Sequence, residues 1–192
     1  MNFEHSAERR MLGDSLNRFI AQNYNLEKRQ QSLQSGQGFN SGIWQQLAEM
    51  GVIGALFSEA DGGYGGGGFD LALVFEAVGR GLLVEPLLGS AVLAGDAIAS
   101  AGSETQKIEL AQIIDGSLIA ALAHDEPDSH YELNRVACRA EPQADGWRLD
   151  GTKSLVLHGE QAGLLVVSAR TAGAIDDSQG CLLYTSPSPR DS

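Results

Sequence analysis

At 192 residues with 43% hydrophobic side chains, the chain is long enough for one packed domain or a domain and a half. A net charge of −12 repels phosphate backbones and anionic lipid surfaces, so neither nucleic acid nor membrane is expected as a partner. No apolar run is long enough to span a bilayer and the N-terminus lacks a basic-then-apolar leader. Cys138 and Cys181 have neither the number nor the spacing of a disulfide framework or zinc site, so a cytoplasmic location is the expectation.

Between Ser6 and Asn23, Met11, Leu12, Leu16, Phe19 and Ile20 fall on one face at helical period, with Ser6 as N-cap. The polar stretch Glu27 to Gln37 predicts a surface helix. Ser41 is expected to cap a short helix carrying Ile43, Trp44, Leu47 and Met50 and stopped by Gly51. "VIGALF" then runs into a glycine-rich stretch, after which Asp70 is expected to cap "LALVFEAVGRGLL". "SAVLAGDAIASAG" and "SETQKIELAQIIDG" predict two more helices, each ending at glycine. Beyond Gly116, "SLIAALAH", "RVACRAE", "GWRLDGTKSLVLHG" and "AGLLVVSART" are short apolar or alternating runs between Asp, Gly and Pro clusters, which predicts successive antiparallel strands. The fold class is therefore α+β: an all-helical domain over residues 1–116, then a truncated antiparallel β domain over 117–180.

Residues 181–192, "CLLYTSPSPRDS", fit neither half, because two Ser-Pro steps break the strand that "GCLLYT" would begin. Read back into codons, they resemble the translated end of a sequencing-library adapter. A non-native tail is the expectation, with native sequence ending near Gly180.

The stretch "DGGYGGGGFD" raises a separate question, since Gly63, Gly65 and Gly68 fit G-x-G-x-x-G. A dinucleotide fingerprint needs a strand before it, a helix opening on its glycines and an acidic residue about twenty positions on, all within a βαβ unit. "VIGALF" could be that strand and Glu85 that acid. However, helices precede the stretch, and "LLVEPLLGS" places Pro where the second parallel strand should run. A glycine-permitted turn between helices is the expected reading.

The wider context agrees. "FSEADGGYGGGGFDLALVFEAVGRGL" resembles the acyl-CoA dehydrogenase segment in which an acidic residue and a Gly-Gly-x-Gly turn lead into a Glu-containing helix; here these are Glu59, Gly62, Gly63, Gly65 and Glu76. "FEHSAERRMLGDSLNRFI", "IWQQLAEMGVIGALF" and "GSETQKIELAQIIDGSLIAALAHDEP" resemble the family's first helix, its entry to the turn, and the start of its middle domain. The resemblance covers about residues 1–180. It implies a flavoprotein that removes hydrogen from an acyl-CoA thioester to give the 2-enoyl-CoA, using FAD, a tetrameric assembly and an electron-transferring flavoprotein as acceptor.

In that family two middle-domain loops hold the flavin, one reading Thr-Glu-Pro and one Trp-Ile-Thr-Asn-Gly. The resemblance places His124, Asp125, Leu155 and Leu157 at the cofactor and Tyr131 at the acyl-CoA substrate, with Glu126, Pro127 and Gly159 retained. Asp125 replaces the Thr of the first loop; Leu155, Val156, Leu157 and His158 replace Trp, Ile, Thr and Asn in the second. Leu155 and Leu157 offer a flavin only apolar contact, and a carboxylate at Asp125 would disfavour flavin reduction unless paired or protonated. "HDEPDSHYEL" together with "TKSLVLHG" more closely resembles the small subunit of pimeloyl-CoA dehydrogenase, which works beside a large subunit.

No catalytic base is assigned, because the family's base lies in a C-terminal domain; Glu59, Glu76 and Glu126 read as solvent-facing or capping residues. The chain is expected to be an inactive fragment, the alternative being a non-catalytic partner subunit without flavin. His124, His130 and His158 with Asp125 lack metal-ligand spacing and are read as turn or surface residues, and Trp44 and Trp147 as core residues.

Overall fold

A computed structural model describes residues 5–144 and 146–187. It divides into two compact units, Met1–Leu87 with Glu109–Ser117, and Leu88–Ile108 with Leu118–Ser192.

The first unit is helical. Helix α1 (Ala7–Asn23) is capped by Ser6, whose side chain accepts the Arg9 N–H, and buries Leu16 and Ile20 as the apolar period requires. Helix α2 spans Leu26–Gln34 and α3 Ser41–Glu49. The cap of α3 is Asn40, not Ser41: its side-chain oxygen accepts the Ile43 N–H at 3.0 Å. Trp44 is buried, as expected of a core residue, and its indole N–H donates to the Gly116 carbonyl at 2.9 Å.

"VIGALF" forms no strand. Gly54–Leu56 is a 3₁₀ turn buried with Val52 and Ile53, and the glycines fold back onto it. The Gly63, Gly65 and Gly66 amides donate to the Ser58, Phe57 and Ala55 carbonyls, each at 2.9 Å. These amides face protein carbonyls and cannot cradle a phosphate. The approach is backbone on backbone: a Cβ at Gly63 would lie 2.4 Å from the Gly54 and Phe57 oxygens, and one at Gly65 2.2 Å from the Ala55 oxygen. Gly→Ala changes at unstrained sites stabilise by restricting the unfolded chain. Gly65→Ala is expected to do the reverse, destabilising by about 1–3 kcal/mol from overpacking, read as a lower urea midpoint with unchanged slope.

Helix α4 (Gly68–Gly81) begins three residues earlier than an Asp70 cap would place it. Gly67 is the cap. Asp70 sits in the first turn and reaches back to accept the Gly67 N–H at 3.1 Å, while Arg9 grips the same carboxylate through two contacts of 2.6 and 3.1 Å. The hydrogen bond from Arg9 holds the Asp70 carboxyl below its usual range.

Glu85 is 5% exposed, and neither carboxylate oxygen has a hydrogen-bond partner among the described residues. Burial therefore pushes its pKa up. The folded state holds the Glu85 proton more tightly than the unfolded chain, so stability falls as pH rises from the ordinary glutamate range through the raised value. Glu85→Gln is expected to be about 1–2 kcal/mol more stable than the parent at pH 7, the gain vanishing near pH 4 in paired thermal melts.

In the second unit, the stretch read as one helix is a π-helical segment, Leu87–Gly95, continuing into α5 (Asp96–Ala101). Likewise "SETQKIELAQIIDG" is broken into α6 (Glu104–Lys107) and α7 (Leu110–Ile114), the latter belonging to the first unit. The strands are β1 (Ala120–Ala123), β2 (Arg139–Gln143), β3 (Gly146–Asp150), β4 (Leu164–Arg170) and β5 (Cys181–Pro187). The order of a helical half before a β half is as expected, but the sheet is mixed. β4 pairs in parallel with β1, from Ala120↔Leu164 to Ala123↔Val167, and with β2 at Arg139↔Arg170 alone. Among the described residues, only β2–β3 and β4–β5 are antiparallel. Local patterning finds strands; their direction is set by connections, and the long path from β1 to β4 permits a parallel return.

The expected tail does form a strand: β5 runs from Cys181 to Pro187, reaching the first Ser-Pro step. Residues 188–192 of the expected non-native tail lie outside the described residues. Trp147 is not a core residue: it lies on β3 at the end of the strand order and is 37% exposed. The sheet core is small-residue rich, with Ala123, Val136, Cys138, Ala140, Val167 and Ala169 buried and Leu149, Val156 and Leu165 packed against them. Among the described residues no helix is long and apolar enough to cross a membrane.

Candidate functional site

Two chain segments of the second unit face each other at the end of β1. The first, residues 124–131, leaves β1 directly; the second, residues 153–159, follows β3. The Ser154 N–H donates to the Asp125 carbonyl at 2.8 Å and joins them. Between them lies a cavity of about 180 Å³ lined by Asp125, Ser129, His130, Tyr131, Ser154 and Leu155, among others. Three of the five residues expected at a ligand thus meet: Asp125, Tyr131 and Leu155. Leu157 and His124 do not line this cavity. Leu157 lies with His158 against Gly89 of the π-helical segment, where a Cβ on the glycine would approach the His158 ring to 3.1 Å. Burial there lowers the His158 pKa.

The backbone of both loops is unusual. Among the described residues five non-glycine positions have positive φ, and four are here: His130 (49°), Tyr131 (64°), Leu155 (52°) and His158 (57°). Such conformations cost roughly 1–3 kcal/mol each and persist only where surroundings impose them. Leu155 and Tyr131 are left 69% and 76% exposed, whereas Val156 between the leucines is anchored in the sheet core.

Beneath the loops a buried ion pair joins one to the other. Glu126 is not a solvent-facing or capping residue. Its side chain and that of Lys153 are 8% and 9% exposed and form an ion pair of 2.7 Å. The carboxylate also accepts the Ala137 and Cys138 N–H groups at 2.8 and 2.9 Å. Lys153 uses its other two protons on the His124 carbonyl at 3.1 Å and the Ser168 hydroxyl at 3.0 Å, and Ser168 Oγ lies 2.9 Å from His124 Nδ1. Burial alone would raise the Glu126 pKa. The Lys153 hydrogen bond and the two amides outweigh it and hold the carboxyl below its ordinary range. Sequence reasoning missed Lys153 and Ser168. Glu126 and Lys153 are 27 residues apart and their partnership has no local signature.

Glu59 and Glu76 are exposed, the latter paired with Arg80 one helical turn away. His124 is half-buried and hydrogen-bonded, while His130 is exposed on its turn. Among the described residues no group of three or more His, Cys, Asp or Glu is arranged to hold a metal.

A helical unit followed by a sheet whose first loop and later turn enclose a strained cleft defines the class. The family model "Acyl-CoA dehydrogenase, N-terminal domain" matches residues 6–117, and the chain belongs to the acyl-CoA dehydrogenase family. It is 33% identical over 132 residues to the mitochondrial isovaleryl-CoA dehydrogenase of Bos taurus, covering 67% of this chain and 31% of that one. Among solved structures, the Tcur3481–Tcur3483 steroid ACAD G363A variant superposes with a TM-score of 0.82 at 28% identity, covering 95% of this chain and 48% of that one. The ChsE4–ChsE5 complex from Mycobacterium tuberculosis gives 0.81 at 25% identity, covering 98% and 49%. The chain thus spans about half the length of these structures and a third of that relative.

The donor chemistry fits one edge of a flavin. His124 Nε2 has no partner among the described residues and is not enclosed, so its ring edge is open to a ligand, and the exposed Leu155 and Leu157 suit an apolar ring. Of the two carboxylates in the cavity wall, Glu126 is paired with Lys153, and Asp125 is ill-suited to a ring that gains negative charge.

Proposed function

We propose that the chain is the N-terminal half of a flavin-dependent acyl-CoA dehydrogenase, and that its complete form converts an acyl-CoA thioester to the 2-enoyl-CoA. Its domains are 1–116 and 117–180, with 181–192 non-native despite the pairing of β5 with β4. Bound FAD would supply the hydride acceptor. His124, Asp125, Leu155 and Leu157 would border it, and Tyr131 would meet the thioester end of the substrate. The carrying observation is the concentration of left-handed, non-glycine backbone in two facing loops stapled by a buried ion pair, since strain kept at that cost marks a ligand site. The chain alone carries no assigned base for the α-proton and is proposed to be inactive. The complete protein is proposed to be a cytoplasmic tetramer that passes electrons to an electron-transferring flavoprotein.

A second reading is favoured by a specific observation. Asp125 lines the cavity wall and Leu155 stands where the family has an aromatic cover, which together weaken a flavin site. On that reading the chain is the partner subunit of a heteromeric enzyme, akin to the pimeloyl-CoA dehydrogenase small subunit, and two of its structural neighbours are named as pairs of proteins. The visible spectrum of the full-length parent, purified alone and with its large subunit, separates the two. Flavin absorbance in the lone parent supports the first; a colourless parent that makes its partner active supports the second. Dehydrogenation of an acyl-CoA by the isolated 192-residue chain would overturn the proposed inactivity.

A further inference from the structure

Donor and acceptor accounting around Ser168 fixes the state of a neighbouring ring. Lys153 has three protons and three acceptors: the His124 carbonyl, Glu126 Oε1 and Ser168 Oγ. Ser168 is 1% exposed, so its own proton must go to protein, and the remaining partner in reach among the described residues is His124 Nδ1 at 2.9 Å. Were Nδ1 to carry the ring proton and donate instead, the Ser168 O–H would be left buried without an acceptor, a costly arrangement.

We propose that Lys153 and Ser168 lock His124 as the neutral Nε2–H tautomer, and that this N–H is the ligand-reading donor of the loop pair, selecting a cofactor edge that presents an acceptor nitrogen or carbonyl oxygen. Lys153 and Ser168 are positioning residues: they act through the imidazole. The His124 carbonyl is held by Lys153, and Lys153 is followed by the Ser154 amide that ties the loops, so ring orientation and loop geometry are set by one cation. The ligand role rests on the flavin reading above; the tautomer does not.

The test has two readouts. In ring-¹⁵N-histidine-labelled 192-residue chain, long-range ¹H–¹⁵N correlations are expected to show His124 protonated at Nε2 and bare at Nδ1, and Ser168→Ala is expected to release it into exchange between tautomers. If Ser168→Ala fails to fold, the unsubstituted chain still decides the tautomer. In the full-length parent, FAD titration followed by flavin fluorescence should show His124→Phe weakening binding about two- to tenfold, the worth of one hydrogen bond. His124→Gln, whose amide can donate from the place of Nε2, should restore it. A protonated Nδ1, or exchanging tautomers in the unsubstituted chain, overturns the lock. Equal FAD affinity in His124→Phe overturns the ligand role, and a parent that binds no FAD overturns the flavin reading and that role together while the tautomer stands.

Discussion

Lys153→Met is expected to destabilise the protein by about 3–5 kcal/mol at pH 7, because it leaves the Glu126 carboxylate buried without its cation. The sign of the pH dependence follows from the lowered Glu126 pKa. In the parent, the stability contributed by this carboxylate is present above the ordinary glutamate range and is lost as pH falls through the folded value. In Lys153→Met the carboxyl keeps its burial and loses the hydrogen bond that outweighed it, so acid relieves the defect. The gap between parent and variant should narrow as pH falls from 7 towards 4. Denaturant midpoints at four or five pH values check this, and a gap independent of pH would show that the methionine disturbs packing alone. Glu126→Gln in the same background should recover part of the loss, because the amide removes the orphaned charge.

Arg170→Met is expected to cost at least about 3 kcal/mol. Arg170 is 5% exposed, and its guanidinium donates to five backbone carbonyls: Val136 at 3.0 Å, Gln179 at 2.8 Å, Asn134 and Asp177 at 3.0 Å, and Ile175 at 3.1 Å. Nε donates to Val136 and Nη1 to Gln179, while the two Nη2 protons are shared among Asn134, Ile175 and Asp177. All five of those carbonyls belong to irregular segments flanking the sheet, so the side chain replaces the ladder that these segments lack. Lysine should not rescue the variant, since three protons on a flexible stem cannot span the same set. The measurable signature is a lowered melting temperature in both variants, with protease cleavage appearing first between Ala172 and Gln179. An Arg170→Lys protein melting with the parent would contradict the fork's role.

The fold was legible where its cause is local. Ser6 before an apolar period and short apolar runs between Asp and Gly are each decided within a few residues, and α1, β1 and β4 lie where they were expected, whereas "TKSLVLHG" forms no strand. Caps slipped because two candidates stood side by side. Asn40 and Ser41 are both good caps, and Asp70 satisfies a cap amide from inside the helix. Strand direction was not legible, because nothing in "AALA" or "LLVVSAR" encodes which way its partner runs. The site divides the same way. Asp125, Tyr131 and Leu155, which line one cavity, were singled out through family motifs that lie along the chain. Lys153 and Ser168 were not, because their meaning depends on partners brought near by the sheet. Glu126 was misread for a related reason: an acidic residue before proline is usually a loop residue in water, and only the arrival of Lys153 makes its burial tolerable.

The glycine turn carries a consequence for how this chain would respond to random substitution. Residues 62–68 are half or fully open to solvent, a setting in which most replacements are harmless. Yet Gly63 and Gly65 press on carbonyl oxygens, and Gly62 and Gly66 hold φ of 89° and 78°, so side chains are excluded by contact at two positions and by conformation at two others. A saturation library scored for folded protein would therefore show a block of intolerance on an exposed loop. Such a block has the profile of a binding motif, and a map of tolerance alone would point to the first unit as the place where ligand is held. Scoring the same library for abundance as well as activity distinguishes the two origins: losses at these glycines should appear in full at the level of abundance, before any ligand is added.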